Sequence, residues 1–443
     1  MRKLMIATAL LCASAMQASS GDVELDQSRV SSIQIAAETA PALPSERIEA
    51  SSRLPTPRPT TLEEKIGQMI MVGFRGDTPD HKWVKTLTGQ IEAGKVSGVL
   101  YLRRNVTNQT QVANLNAALQ IAARDRPSLL IAVDQEGGRI ERLLPEAGFP
   151  HTPSAAEISS DFSPREAYER YELLAESLSA WGFNLNLGPV VDLNVNRSNP
   201  IIGRLGRSYS DDPSQVVQFA TAFVTAHREQ GVLTALKHFP GHGSSKLDSH
   251  KGAVDVSRTW KSAELDPFSM MIKDKQVDLV MSAHLRNDKL QDDGDKAPIS
   301  LSKSGLHDVL RRKLGFTGVI ISDDLQMGAI WDNYKFEDAV IRAVKAGNDI
   351  LIFSNDKHPD VDIPNKVVSL LSKAAKHDAA LQVRIEQAYE NILAMKQDLQ
   401  AQAPALDTIS TRSIGEGESR PVLSSALMAA NKRDFPLYLP ADL

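Results

Sequence analysis

The stretch GVIISDD, residues 318–324, sets three β-branched residues in a row and then stops on a serine and two aspartates. A short apolar run bounded by polar residues reads as a buried strand. Seven further runs share this form: IGQMIMVGF (66–74), VSGVLYL (96–102), LLIAVDQEGG (129–138), FNLNLGPVVDL (183–193), LTALKHFPG (233–241), LVMSAH (279–284) and DILIFSN (349–355). Between them lie longer amphipathic stretches such as QTQVANLNAALQIAARD (109–125) and SPREAYERYELLAESLSAWG (163–182), with apolar stripes at helical spacing. Strands alternating with helices imply a parallel sheet, and eight such units are the number that closes a (β/α)8 TIM-type barrel. An open doubly wound sheet is the alternative, but no phosphate-cradling glycine fingerprint follows the first strand. The expected fold is therefore α/β, a single catalytic barrel domain over residues 61–403, with a long Ala/Lys/Gln-rich helical stretch at about 364–402 closing it from outside.

The flanks differ in composition. MRKLMIATALLCASAMQASS has a basic start, a short apolar run and small residues near Ala18, the pattern of a secretory signal peptide over 1–18. Residues 19–60 are rich in Ser, Ala, Pro and Glu and read as a flexible linker, and 404–443 as a tail too short for a second domain. An exported protein, periplasmic or secreted, is expected. Cys12 is the only cysteine; it lies inside the apolar run, so cleavage beyond it leaves no internal disulfide, while lipidation at Cys12 is a second route that Leu11 disfavours. The net charge of -5 offers no broad basic field for a nucleic-acid backbone.

In such a barrel the chemistry sits at the C-terminal ends of the strands. The ends carry Asp134, Asp192, Lys237 with His238, His284, and Asp323 with Asp324. Beyond the fifth strand, KHFPGHGSSKLDSH (237–250) concentrates charge, and two readings of it stand. His238 and His242 are four apart, and Asp248 with His250 could complete a metal site; Pro240, Gly241 and Gly243 oppose the helix that would give this spacing its meaning. Alternatively, Asp248 and His250, two apart in an extended loop, face the same way and form an acid/base pair.

The motifs KHFPGHG followed by DSH, AVDQEGGRIERL (132–143), GRSYS (206–210), APISLS (297–302) and GFTGVIISDDLQMGAI (315–330) resemble the β-N-acetylglucosaminidases of glycoside hydrolase family 3, in the single-domain bacterial branch. The resemblance runs from about residue 61 to 400. It implies a retaining exo-hydrolase without metal or cofactor, with Asp323 as nucleophile, His250 as general acid/base and Asp248 as its orienting partner. Asp134, Arg142, Arg207, Lys237 and His238 fall where that family grips the terminal sugar. Asp324, Asp192, His242 and His284 belong in or near the pocket without an assigned role. The sequence departs from the family pattern in KGAVDVSRTW (251–260), after the DSH. Of the two arginines in SNPIIGRLGRSYS, only Arg207 sits in the GRS pattern, and Arg204 is set aside. The implied substrate is a small carbohydrate, N-acetylglucosamine-containing peptidoglycan fragments or chitooligosaccharides, handled by a monomer. Alternatives are a phosphorylase or broad β-glycosidase on the same scaffold, a metal-dependent hydrolase, and a non-catalytic cell-wall binding protein.

Overall fold

A computed structural model of the chain describes residues 60–402, apart from residue 293. The expected leader, nearly all of the linker and the tail lie outside the described residues. All eight runs form parallel strands: β1 Ile70–Gly73, β2 Gly98–Tyr101, β3 Leu130–Val133, β4 Leu185–Asn186, β5 Leu233–Phe239, β6 Leu279–Ser282, β7 Val319–Asp324 and β8 Ile350–Phe353. They close into a barrel in chain order, with β8 pairing back onto β1 through Ile70 and Leu351. Helices cover the outside, so the strands are buried on both faces and carry no polar alternation. Each fully buried Leu or Ile contributes roughly 1.5–3 kcal/mol, and β7 supplies Val319, Ile320 and Ile321 before its polar end.

Three boundaries differ from the sequence reading, each for a local reason. The run IGQMIMVGF is half helix: Leu62–Gln68 is nucleated by a capping box in which Thr61 and Glu64 satisfy each other's backbone amides, and only Ile70–Gly73 is strand. The fourth run is strand only at Leu185–Asn186. Asp192 lies beyond it, yet the Val191 amide bonds the Lys237 carbonyl and keeps that segment beside β5. The closing helix is two helices, Ile363–Ala375 and Ala379–Gln402. Asp378 breaks it by accepting the Leu381 amide at 3.0 Å and capping the second segment. One element was not anticipated: Val254–Asp255 and Leu285–Arg286 pair as a two-stranded parallel sheet outside the barrel.

Lys396, buried on the last helix, gives its ammonium to the Gln68 side-chain oxygen at 2.9 Å and the Ser97 carbonyl at 3.2 Å. Burial pushes its pKa down to about 7. A lysine depressed in the native state binds its proton more readily unfolded, so stability rises with pH between the two pKa values. Between pH 7 and 9 the wild type is expected to gain about 2 kcal/mol over Lys396→Met, read by urea denaturation at each pH. Parallel pH dependence of the two proteins would contradict this.

Candidate active site

The C-terminal rim of the barrel gathers every residue that the sequence placed there, and sorts them into two groups. The first lies across β3, β4 and β5. Asp134, just past β3, accepts from the Lys237 ammonium at 2.8 Å and faces Arg142 at 3.4 Å. Glu136, two residues on, binds Lys237 at 2.7 Å and takes Arg207 in a two-pronged pair at 2.8 Å. Lys237 is only 2 % exposed; burial works against its charge, but Asp134 and Glu136 outweigh it and raise its pKa. Burial likewise opposes the charges of Glu136 and Asp134, and the facing cations hold both carboxyls below their ordinary range. Arg204, set aside in the sequence, is exposed, whereas Arg207 is buried. Arg207 also donates to the Ile201 carbonyl and meets His238 Nε2 at 3.3 Å, so most of its N–H groups are committed within the protein.

Asp192 anchors this group from below the fifth loop. It is fully buried and accepts the backbone amides of His238 and His242 at 3.1 and 2.7 Å, and faces His238 Nδ1 at 2.7 Å. Burial alone would raise its pKa; the adjacent imidazole of His238 and these bonds lower it instead. An ionised Asp192 can only accept, so His238 carries its proton on Nδ1 and offers the Nε2 lone pair to Arg207. Three carboxylates, Asp134, Glu136 and Asp192, thus balance Lys237, Arg207 and Arg142. The lining is dense in donors and acceptors yet near neutral, which suits an uncharged polyol.

The second group centres on Asp323, at the end of β7. Burial would raise its pKa, but the imidazoles of His284, His238 and His250 and the Asp324 amide outweigh it and hold the carboxyl at about 2. Asp323, partly exposed at the end of β7, is therefore an anion at neutral pH. Its neighbour Asp324 goes the other way, to about 6, because burial dominates. Asp324 braces β7 against β8 by accepting the Ser354 amide at 3.0 Å and hydroxyl at 2.5 Å. His284 gives Nε2–H to the Asp324 carbonyl at 2.9 Å and has Nδ1 at 2.7 Å from the Ser300 hydroxyl. Burial lowers its pKa, so it is a neutral brace.

Asp248 and His250 meet, by a different route from the expected extended loop. Residues 248–251 form a turn closed by the Lys251 amide on the Asp248 carbonyl, and Asp248 Oδ1 takes both the His250 amide at 2.9 Å and Nδ1 at 2.8 Å. Burial raises the Asp248 pKa, and the two His250 bonds more than reverse it. The ionised carboxylate fixes the Nδ1–H tautomer and leaves Nε2 as the working nitrogen. The loop that delivers this turn needs its glycines. Gly241 has φ +113°, and a Cβ on Gly243 would stand 1.7 Å from the Leu193 carbonyl oxygen.

Glu136, in the DQEGG motif, was given no role from the sequence, and the structure adds it to the site as the shared partner of Lys237 and Arg207. His238 and His242 do not converge on a shared point: one faces Asp192, and the other points its Nε2 to the Ser249 hydroxyl at 3.2 Å. Among the described residues no three His, Cys, Asp or Glu side chains group in a way that would hold a metal ion.

A closed (β/α)8 barrel with a sugar-compatible polar rim, a partly exposed carboxylate held ionised and a carboxylate–imidazole pair defines an α/β-barrel glycoside hydrolase. The glycosyl hydrolase family 3 N-terminal domain matches residues 61–395, and the chain belongs to that family. Beta-hexosaminidase A of Pseudoalteromonas piscicida is 30% identical over 404 residues, covering 84% of this chain and 67% of its own length. A solved glycoside hydrolase family 3 beta-N-acetylglucosaminidase from Paenibacillus sp. str. FPU-7 superposes with TM-score 0.70 at 32% identity. That match covers 79% of this chain and 65% of the Paenibacillus chain, so the present chain spans about two-thirds of these two relatives. The beta-N-acetylhexosaminidase of Beutenbergia cavernae DSM 12333, with TM-score 0.67 and 29% identity, is covered over 98% of its length and this chain over 76%.

Proposed function

We propose that the chain is a retaining exo-β-N-acetylglucosaminidase that removes terminal, non-reducing N-acetyl-β-D-glucosamine from peptidoglycan fragments or related oligosaccharides. The observation that carries this reading is the pairing of Asp323, a partly exposed carboxylate held ionised, with an Asp248–His250 pair on a neighbouring loop. In the first step an Asp323 oxygen bonds to the anomeric carbon as the glycosidic C–O bond breaks. The bonding pair passes to the leaving oxygen, which takes the proton from His250 Nε2. Asp248, as an anion, stabilises the imidazolium that must exist before this transfer. In the second step water attacks the anomeric carbon, yields its proton to Nε2 and releases Asp323. Among the described residues no lysine or arginine pairs with Asp323, so its charge is available to the oxocarbenium-like transition state.

Asp134, Arg142 and Lys237 supply acceptor and donor groups for the hydroxyls and the acetamido carbonyl, while His238, with Nδ1 on Asp192 and Nε2 facing Arg207, holds the rim from which they reach the sugar. Arg207 serves chiefly by holding Glu136 and His238. The beta-hexosaminidase and beta-N-acetylglucosaminidase names of the relatives support the sugar, and the leader read in the sequence supports a substrate outside the inner membrane. Purified protein is expected to release single N-acetylglucosamine units from chitooligosaccharides and muropeptides, with the β-anomer appearing first by NMR. An α-anomer first would overturn retention. Sugar 1-phosphate formed when phosphate is supplied would transfer the second step from water to phosphate.

A further inference from the structure

His242 contacts neither Asp323 nor the Asp248–His250 pair in any hydrogen bond, yet it is buried, polar and placed in the middle of the loop that delivers that pair. Its backbone amide is fixed on Asp192 at 2.7 Å. Its Nε2 lies 3.2 Å from the hydroxyl of Ser249, the residue between Asp248 and His250. Ser249 is 1 % exposed, whereas the His250 side chain is 53 % exposed. In the 248–251 turn, residues 248 and 250 meet on one side and residue 249 is directed into the protein. The Ser249 carbonyl in turn accepts the amide of Ala329, six residues beyond Asp323.

We infer that His242 and Ser249 are positioning residues that latch the acid/base turn to Asp192 on one side and to the Asp323 loop on the other. The inference rests on the acid/base reading of His250. The protonation pattern of the latch follows from satisfaction of polar groups. His242 Nδ1 is buried without a hydrogen-bond partner. A buried lone pair is a smaller loss than a buried N–H, so the proton sits on Nε2 and the Ser249 oxygen accepts it. Burial, with His238 adjacent, takes the His242 pKa down to about 4, so this neutral donor persists across the working range of a glycosidase. The latch thereby ends a continuous chain, from His238 through Asp192 and His242 to Ser249. It joins the nitrogen that touches the sugar rim to the turn that protonates the leaving group.

The test exploits the leaving group. A 2,4-dinitrophenyl glycoside departs without protonation, whereas a phenyl glycoside needs the acid. Loss of general acid catalysis costs about 10²–10⁴-fold, and a misplaced acid should forfeit part of that. Ser249→Ala is expected to lower kcat/KM, which reports the first step alone, on phenyl N-acetyl-β-glucosaminide by about 10–100-fold. On the dinitrophenyl substrate, whose departure needs no proton, its kcat/KM should stay within about 2-fold. His242→Gln, whose amide can donate to Ser249, should recover most of the activity that His242→Ala loses on the phenyl substrate. His250→Ala should show the same leaving-group pattern, enlarged. Equal losses on both substrates, or no loss, in Ser249→Ala would overturn the latch while His250→Ala keeps its pattern. If His250→Ala shows no leaving-group dependence, the acid/base assignment and the latch fall together.

Discussion

Asp323→Ala is expected to lower kcat for release of 4-nitrophenol from its N-acetyl-β-glucosaminide by at least about 10⁴-fold, with a melting temperature no lower than wild type. The size follows from the environment. A carboxyl whose pKa is held at about 2 is an anion at every pH where the enzyme would work. Removing it takes away the nucleophile and a negative charge that no lysine or arginine among the described residues pairs with. The fold should not suffer, because among the described residues the one hydrogen bond that Asp323 accepts comes from the next amide in the chain, at 2.8 Å. The vacated site also admits a small anion. Azide added to the variant should attack from the face that Asp323 occupied and yield the α-glycosyl azide, with the aryl oxide leaving. Turnover near the wild-type rate, or a β-glycosyl azide, would remove Asp323 from the chemistry.

Glu136→Ala is expected to cost about 3–5 kcal/mol of stability, read by urea denaturation. Glu136 is the common partner of Lys237 and Arg207, both within 2.8 Å and both buried. Its removal leaves two buried cations sharing Asp134 and the more distant Asp192, an uncompensated charge rather than merely a lost pair. The double variant Glu136→Ala, Arg207→Met restores the charge balance and should recover a substantial part of the loss. A cost below about 1 kcal/mol, or a double variant worse than the sum of its parts, would contradict the balanced-cluster account.

The barrel was legible because a parallel strand covered on both faces has no polar alternation to confuse it. GVIISDD and its seven counterparts each announce themselves as a short, largely apolar run, and several of them stop on polar or charged residues. What was lost is what depends on partners distant in the chain. The two-residue strands at 254–255 and 285–286 carry no pattern of their own, and only the fold brings them together. Asp192 was placed on the rim by the apolar stretch before it, although the strand itself stops at Asn186. Glu136 was hidden by its setting: an acid followed by two glycines looks solvated, and only Arg207, 71 residues away, shows otherwise. The Asp248–His250 contact was foreseen for the wrong backbone reason, since alternate residues share a side in a strand and can also meet across a turn. The work of His242 was invisible because its partner is the residue between the two motif positions that drew attention.

The small sheet at Val254–Asp255 and Leu285–Arg286 has a practical consequence for enzyme engineering. It stitches the segment leaving the acid/base turn to the segment leaving His284 by backbone bonds, which do not depend on side-chain identity. A graft of residues 240–253 from another member of the family would arrive without its seam. The transferable cassette is discontinuous and must carry both short strands, so libraries that exchange the fifth loop should recombine the sixth with it.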